Sequence, residues 1–148
     1  MVALPTVEDT RALGRRLAAV LRAGDLVVLS GPLGAGKTAL AQGIGAGLDI
    51  PGEVTSPTFV IARVHRGGRV PLVHVDAYRL GTTVEVDDLD LDASVEDSVT
   101  VVEWGEGKVE QLADTYLEVR IDRRDDDTRE VTLVPHQGDW ATRLSSLP

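Results

Sequence analysis

The sequence predicts an α/β domain with a mixed sheet flanked by helices, plus β-hairpins. Three observations carry that reading. Short apolar runs, Leu26–Leu29 and Val99–Val102, have the length and composition of buried strands. Stretches with helical apolar spacing lie before and after the first of them. Two further pairs of β-prone runs are joined by short glycine or polar turns, as hairpins are. Strands interleaved with helices favour parallel pairing and hairpins add antiparallel pairs, so the expected sheet is mixed.

Each element has its own local reason. Thr6 and Asp9 form a capping-box pattern, with Asp in place of the usual Glu. Val7, Leu13, Leu17, Val20 and Leu21 follow at roughly helical spacing and Gly24 is a stop signal, which predicts a helix near 7–22. A strand at 26–30 runs into a glycine loop. Ala39-Leu40-Ala41-Gln42 then opens a helix reaching residue 48 or so. Gly43, Gly45 and Gly47 lower the propensity of that helix, and close packing on the sheet would explain them; Pro51-Gly52 ends it. Thr58–His65 and Val70–Val75 flank Gly67-Gly68 and read as a hairpin. Residues 82–98 are acidic and sparsely apolar, a loop with a short helix. Val99–Val102 is a buried strand. Tyr116–Ile121 and Glu130–Val134 form a second hairpin around Arg123–Asp127, and Trp140 with Leu144 marks a short closing helix. No internal repeat or low-complexity tract interrupts this order, so residues 1–148 are expected to be one domain.

Composition narrows the function. A chain of 148 residues with 43% hydrophobic and 26% charged side chains can bury a core of its own. It has no cysteine, which excludes disulfides, thiolate metal sites and a cysteine nucleophile. No apolar run approaches the roughly 18 residues of a membrane span, and no signal-peptide pattern opens the chain, so a cytoplasmic protein is expected. The net charge of −9 is uneven: residues 1–75 carry +3, residues 76–127 carry −12, and the remainder balances. An acidic half repels a nucleic-acid backbone, so no DNA partner is expected. The acidic stretch is a solvated face or, alternatively, a docking surface for a basic partner.

The glycine loop carries the chemistry. Gly31-Pro32-Leu33-Gly34-Ala35-Gly36-Lys37-Thr38 fits G-x-x-x-x-G-K-[ST], preceded by a strand and followed by a helix. That arrangement aims backbone N–H groups and a helix N-terminus at an anion, which is the phosphate loop of a P-loop NTPase. Gly31, Gly34 and Gly36 admit close phosphate approach. Lys37 reaches the β- and γ-phosphates as a compact cation, and Thr38 offers a hydroxyl to Mg²⁺, which prefers oxygen ligands. Lys37 is one of only two lysines beside 13 arginines. The plainer alternative, a glycine-rich turn with an incidental lysine, does not account for the flanking strand and helix.

Three further segments suit the same site. Val73–Arg79 ends an apolar strand with polar groups, and His74, Asp76 and Tyr78 share one face because strand side chains repeat every two residues. Asp76 is placed where an acceptor for Mg²⁺-bound water is needed, or else it caps a turn. Val101-Val102-Glu103-Trp104 repeats the pattern. Glu103 either binds Mg²⁺, orients the attacking water, or simply faces solvent; Trp104 either packs or touches the ligand. Thr55-Ser56-Pro57-Thr58-Phe59 lies where nucleotide-dependent switches reach the γ-phosphate with hydroxyls.

In order, Gly31–Thr38, Ser56–Phe59, His74–Arg79 and Glu103-Trp104 resemble the motifs G-x-L-G-A-G-K-T, S-P-T-F, H-x-D-x-Y-R and E-W of one family. It is the bacterial ATPase required for the threonylcarbamoyladenosine modification of tRNA, the TsaE (YjeE) type. The resemblance spans about Thr10 to Trp104. It implies a Mg²⁺-dependent ATP hydrolase of the phosphate-loop class, slow alone and dependent on partners. In that family's scheme a two-subunit transferase complex (TsaB–TsaD type) moves a threonylcarbamoyl group to adenosine 37 of tRNAs reading codons that start with A. The TsaE-like ATPase binds the complex and resets it, with tRNA contact expected to be indirect. Carried over by position, Lys37, Asp76 and Glu103 are the catalytic set and Thr38 and Glu103 the metal-side oxygens. Gly31, Leu33, Gly34, Ala35, Gly36, Lys37, Thr38, Ala39 and Trp104 line ATP or ADP, and Ser56 and Thr58 are switch-like. Thr10 is a candidate adenine contact. The chain departs from the family at Pro32, Ala77 and Gly105 without losing a catalytic group.

Other classes remain open at this level. A small-molecule kinase would need an arginine lid over the γ-phosphate, which the Arg63, Arg66 and Arg69 hairpin resembles. A regulatory GTPase would need N-K-x-D, and the second lysine, Lys108, is followed by Val109-Glu110. A module that senses ATP without useful turnover is the third.

Overall fold

The structure, a computed structural model, describes residues 2–30, 37–50, 62–65, 67–76, 97–103, 116–126, 128–136 and 139–145. Within those elements, the side chains of Val2, Ala62, Arg63, Val64, Val75, Asp76, His136 and Ala141 are outside the description.

In chain order the elements are β1 (Val2–Leu4), α1 (Val7–Ala18), β2 (Leu26–Ser30), α2 (Lys37–Gly47), β3 (Ala62–His65), β4 (Leu72–Asp76), β5 (Val99–Glu103), β6 (Tyr116–Arg123), β7 (Arg129–His136) and α3 (Trp140–Ser145). The strands form one seven-stranded sheet in the order β1-β7-β6-β2-β5-β4-β3. The expected α/β class with a mixed sheet is borne out. The central strands β6, β2, β5 and β4 run parallel, and antiparallel partners extend the sheet on both sides. All five residues of β2 and of β5 are buried, which is why their sequences read as continuous apolar runs rather than alternating ones. Pro135 lies on β7 beyond the short stretch that β1 covers, where a missing N–H costs no ladder bond on that side.

Both expected hairpins form, β3–β4 and β6–β7, the second longer than its apolar core suggested. β1 was not anticipated, since three residues carry no readable periodicity; its pairing with β7 defines it. α1 starts as expected: the Thr6 hydroxyl accepts from the Asp9 N–H at 3.1 Å and the Asp9 carboxylate accepts from the Thr6 N–H at 3.0 Å. It stops at Ala18 rather than near 22. The chain tightens there into i→i−3 bonds (Ala19 to Arg16, Val20 to Leu17, Leu21 to Ala18). The Arg69 guanidinium donates to the Ala18 and Leu21 carbonyls at 2.7 and 3.1 Å, satisfying carbonyls that a continuing helix would have used.

α2 ends at Gly47, and Pro51-Gly52, expected to end it, lies outside the described residues. Asp49 takes a left-handed φ of 64°, while Ile50 N–H donates to the Gly45 carbonyl and Asp49 N–H to Ala46, a Schellman cap. Gly43 and Gly47 of α2 also have a different reason from the one expected. A Cβ on Gly43 would sit 2.1 Å from the Arg11 carbonyl oxygen, and one on Gly47 2.8 Å from that of Arg15, so they face α1 and not the sheet. From the other side, a Cβ on Gly14 would meet the Leu40 carbonyl at 2.5 Å. The two helices pack backbone against backbone.

The core lies between these helices and one sheet face. Leu13, Leu17, Leu40 and Ile44 of the helices cluster with Val27, Leu29, Val101, Leu117, Val119 and Trp140. This face also carries the residues that follow.

Candidate functional site

The parallel strands deliver their carboxyl ends to one edge of the sheet. In register, Leu29 pairs with Glu103 and Asp76 pairs with Glu103, so the ends of β2, β5 and β4 lie side by side. Ligands of open α/β sheets bind at this edge. β2 ends at Ser30 at that edge and α2 begins at Lys37, and residues 31–36 join the two in the chain.

Three side chains, Thr38, Glu103 and His74, meet there, and Lys37 precedes Thr38 at the start of α2. Lys37, at the first position of α2, is 5% exposed despite its charge. The Thr38 hydroxyl donates to Glu103 Oε1 at 3.3 Å, although 65 residues separate them. The other oxygen, Glu103 Oε2, lies 2.8 Å from Nε2 of His74, whose ring is fully buried. His74 Nδ1 has no partner among the described residues. Glu103 does not face open solvent, because its side chain is 10% exposed. Strand alternation puts His74 of β4 on the same sheet face as Val101 and Glu103 of β5, the face that α1 and α2 cover.

The donor pair of Thr38 and Glu103 suits a hard cation such as magnesium. Thr38 Oγ1 and the Glu103 carboxylate are hard oxygen donors in contact. Among the described residues no three His, Cys, Asp or Glu side chains gather into a protein-only metal cage. Mg²⁺ takes hard oxygen donors of this kind, completed by waters and phosphate oxygens.

Several expected site residues lie outside the described residues: Gly31, Leu33, Gly34, Ala35, Gly36, Ser56, Thr58, Tyr78 and Trp104, along with Arg66, most of the acidic 82–98 stretch and the Asp76 side chain. Ala39 follows Thr38 in the first turn of α2. Thr10 is buried in α1, and its hydroxyl donates to the Thr6 carbonyl at 3.5 Å. Arg69 does not serve the lid reading, because its guanidinium holds the end of α1.

Sequence reasoning missed two features. It put His74 on the Asp76 face without giving it a task. It also passed over Glu118, buried on β6, whose Oε2 accepts from Ser30 Oγ at 3.1 Å and from Arg120 Nε at 2.8 Å. The available signal was a polar pair two residues apart in a strand whose other face is apolar, which puts Glu118 and Arg120 together beside the strand that feeds the loop.

Comparison with known proteins finds one family. A family model described as "Threonylcarbamoyl adenosine biosynthesis protein TsaE" matches residues 4–131. Curated relatives named "tRNA threonylcarbamoyladenosine biosynthesis protein TsaE" include one from Streptomyces coelicolor, 63% identical over 89% of this chain and 94% of its own length. Another, from Mycobacterium tuberculosis, is 56% identical over 81% of this chain and 77% of its own length. A crystal structure of YdiB from Bacillus subtilis superposes with a TM-score of 0.81 at 33% identity, covering 99% of this chain and 91% of that one.

Proposed function

The chain belongs to the TsaE family of tRNA threonylcarbamoyladenosine biosynthesis proteins, and from that premise we propose that it is a Mg²⁺-dependent ATPase that resets a threonylcarbamoyl-transferase complex. The observation that carries the reading is the contact between Thr38 and Glu103. A hydroxyl at the head of the phosphate-loop helix and a carboxylate at the end of the neighbouring strand converge where a triphosphate would meet its metal. Lys37, held at the same helix start, supplies a cation for the β- and γ-phosphates. Backbone N–H groups of a loop with this motif would cradle the phosphates. Bound there, Mg²⁺ would neutralise charge on the phosphate oxygens during hydrolysis. Asp76, paired in register with Glu103, is the candidate acceptor for a metal-bound water.

The partners follow from the same premise: ATP and ADP, and a two-subunit transferase complex of the TsaB–TsaD type, with tRNA met through that complex. Reconstitution tests the reading. With partner complex, tRNA and threonylcarbamoyl-adenylate present, this protein plus ATP should raise the number of modified tRNAs per complex well above one. A non-hydrolysable ATP analogue should hold it near one. Equal yields with ATP and the analogue would refute the resetting role. Transfer of the γ-phosphate to a metabolite in place of hydrolysis would favour the kinase alternative.

A further inference from the structure

We infer that His74 is a positioning residue for the metal-side carboxylate: its imidazole holds Glu103 in the rotamer that offers Oε1 to the phosphate loop. The inference rests on the proposed nucleotide reading and assigns His74 a role within it.

The geometry divides the two oxygens of Glu103 between two tasks. Oε2 is engaged by His74 Nε2 at 2.8 Å, and Oε1 faces Thr38 Oγ1 at 3.3 Å. A glutamate at a strand end has three rotatable bonds, so without a tether the carboxylate samples many positions. A short bond to an ionised acceptor is among the stronger protein hydrogen bonds and restricts that sampling. An imidazole buried to 0% exposure beside apolar neighbours needs a partner, or it carries a desolvation cost that Leu or Val would avoid. Its strand neighbours on that face support this, since Leu72 and the register partner Val101 are both fully buried. The contact also places one proton: the carboxylate oxygen Glu103 Oε2 accepts, so His74 Nε2 donates. Ligand-orienting partners of this kind commonly change metal affinity about tenfold or more when removed.

The competing description is a core histidine that happens to meet a carboxylate, and the two differ in what magnesium reports. Calorimetry of ADP binding across a Mg²⁺ series should be run on the wild-type protein, His74→Leu and His74→Gln. His74→Leu should raise the Mg²⁺ concentration for half-maximal effect about tenfold, with Mg²⁺-free ADP affinity unchanged. His74→Gln, whose amide nitrogen reaches the Nε2 position, should recover most of that loss. A wild-type midpoint in folded His74→Leu, or a Gln variant no better than the Leu variant, overturns the proposal. Should the Leu variant fail to fold, nitrogen-detected NMR of the wild-type imidazole decides. An Nε2–H resonance that moves with Mg²⁺ and ADP together, and not with ADP alone, supports the role. An Nδ1–H tautomer or an unmoved resonance overturns it. Wild-type protein that binds no ADP at any Mg²⁺ concentration would refute the nucleotide reading itself, a result distinct from failure of the His74 variants.

Discussion

Lys37 and Glu103 illustrate how much a single side chain owes to its position. Both are charged, and both are nearly buried, at 5% and 8% exposure. Charges are buried this deeply when something nearby compensates them. For Glu103 the partners are visible in His74 and Thr38. Lys37→Ala should abolish ATP binding; a calorimetric titration that still gives a tight isotherm would remove Lys37 from the phosphate site. Glu103→Gln keeps the shape and removes the charge. It should lower Mg²⁺-dependent hydrolysis by about two orders of magnitude or more while nucleotide binding survives, because preorganised charge acts on the transition state more than on the ground state. Unchanged turnover in that variant would reduce Glu103 to a structural partner of His74.

At the scale of elements, the pairing of α1 and α2 sets where the phosphate loop can end. The two helices approach until glycine is the only residue that fits between their backbones at Gly14 and Gly43. Gly43→Ala gains roughly 1 kcal/mol of helix propensity. It also drives a methyl group to 2.1 Å from the Arg11 carbonyl oxygen, which is backbone and cannot rotate away. Overpacking costs typically about 1–3 kcal/mol, and a contact this short belongs at or beyond the upper end, so a net loss near 2 kcal/mol is expected in urea denaturation. A variant as stable as wild type would show that the helices separate easily. The cap at the far end of α2 runs the other way. Asp49 holds a left-handed φ of 64°, a conformation that costs a residue with a Cβ roughly 1 kcal/mol, so Asp49→Gly should stabilise by about 0.5–1 kcal/mol in the same measurement.

Across the whole molecule, the last helix is tied back to the beginning of the sheet. Arg143 grips Asp25 with two bonds at 2.6 and 3.0 Å, donates to the Val20 carbonyl at 2.9 Å, and lies 3.9 Å over the centroid of the Trp140 ring. The hydrogen bond to Asp25 is the largest reason its guanidinium holds its proton more tightly than usual. Asp139 joins the cluster through Arg143 and Arg22. Desolvation alone would raise its carboxyl, but the hydrogen bonds from Arg143 and Arg22 outweigh it and hold it below its ordinary value of 3.8. A depressed carboxyl stabilises the fold above its unfolded value and loses that contribution as pH falls through the folded one. Docking of α3, followed by Trp140 fluorescence in a Trp104→Phe background, should therefore be level at neutral pH and weaken only below about 4. Asp139→Asn should weaken docking at neutral pH and flatten that acid limb. An acid limb of the same depth in Asp139→Asn would assign it to other carboxylates.

The parallel core strands, both hairpins and the α1 cap were legible along the chain, because each is written in neighbours a few residues apart: apolar runs, turn residues, the Thr6–Asp9 box. The family was legible for the same reason, through short motifs in a fixed order. What needed the assembled molecule was every relation across long separations. Thr38 meets Glu103 over 65 residues, His74 meets Glu103 over 29, Ser30 meets Glu118 over 88, and Arg69 reaches back 48 to end α1. The helix glycines belong to this class too, since which surface Gly43 faces depends on how α1 docks. Local propensity acts through bonds and a turn or two of chain, so a linear reading recovers it. Contacts such as these arise only when strands choose their neighbours in a sheet, and that choice is made by burial of the whole core.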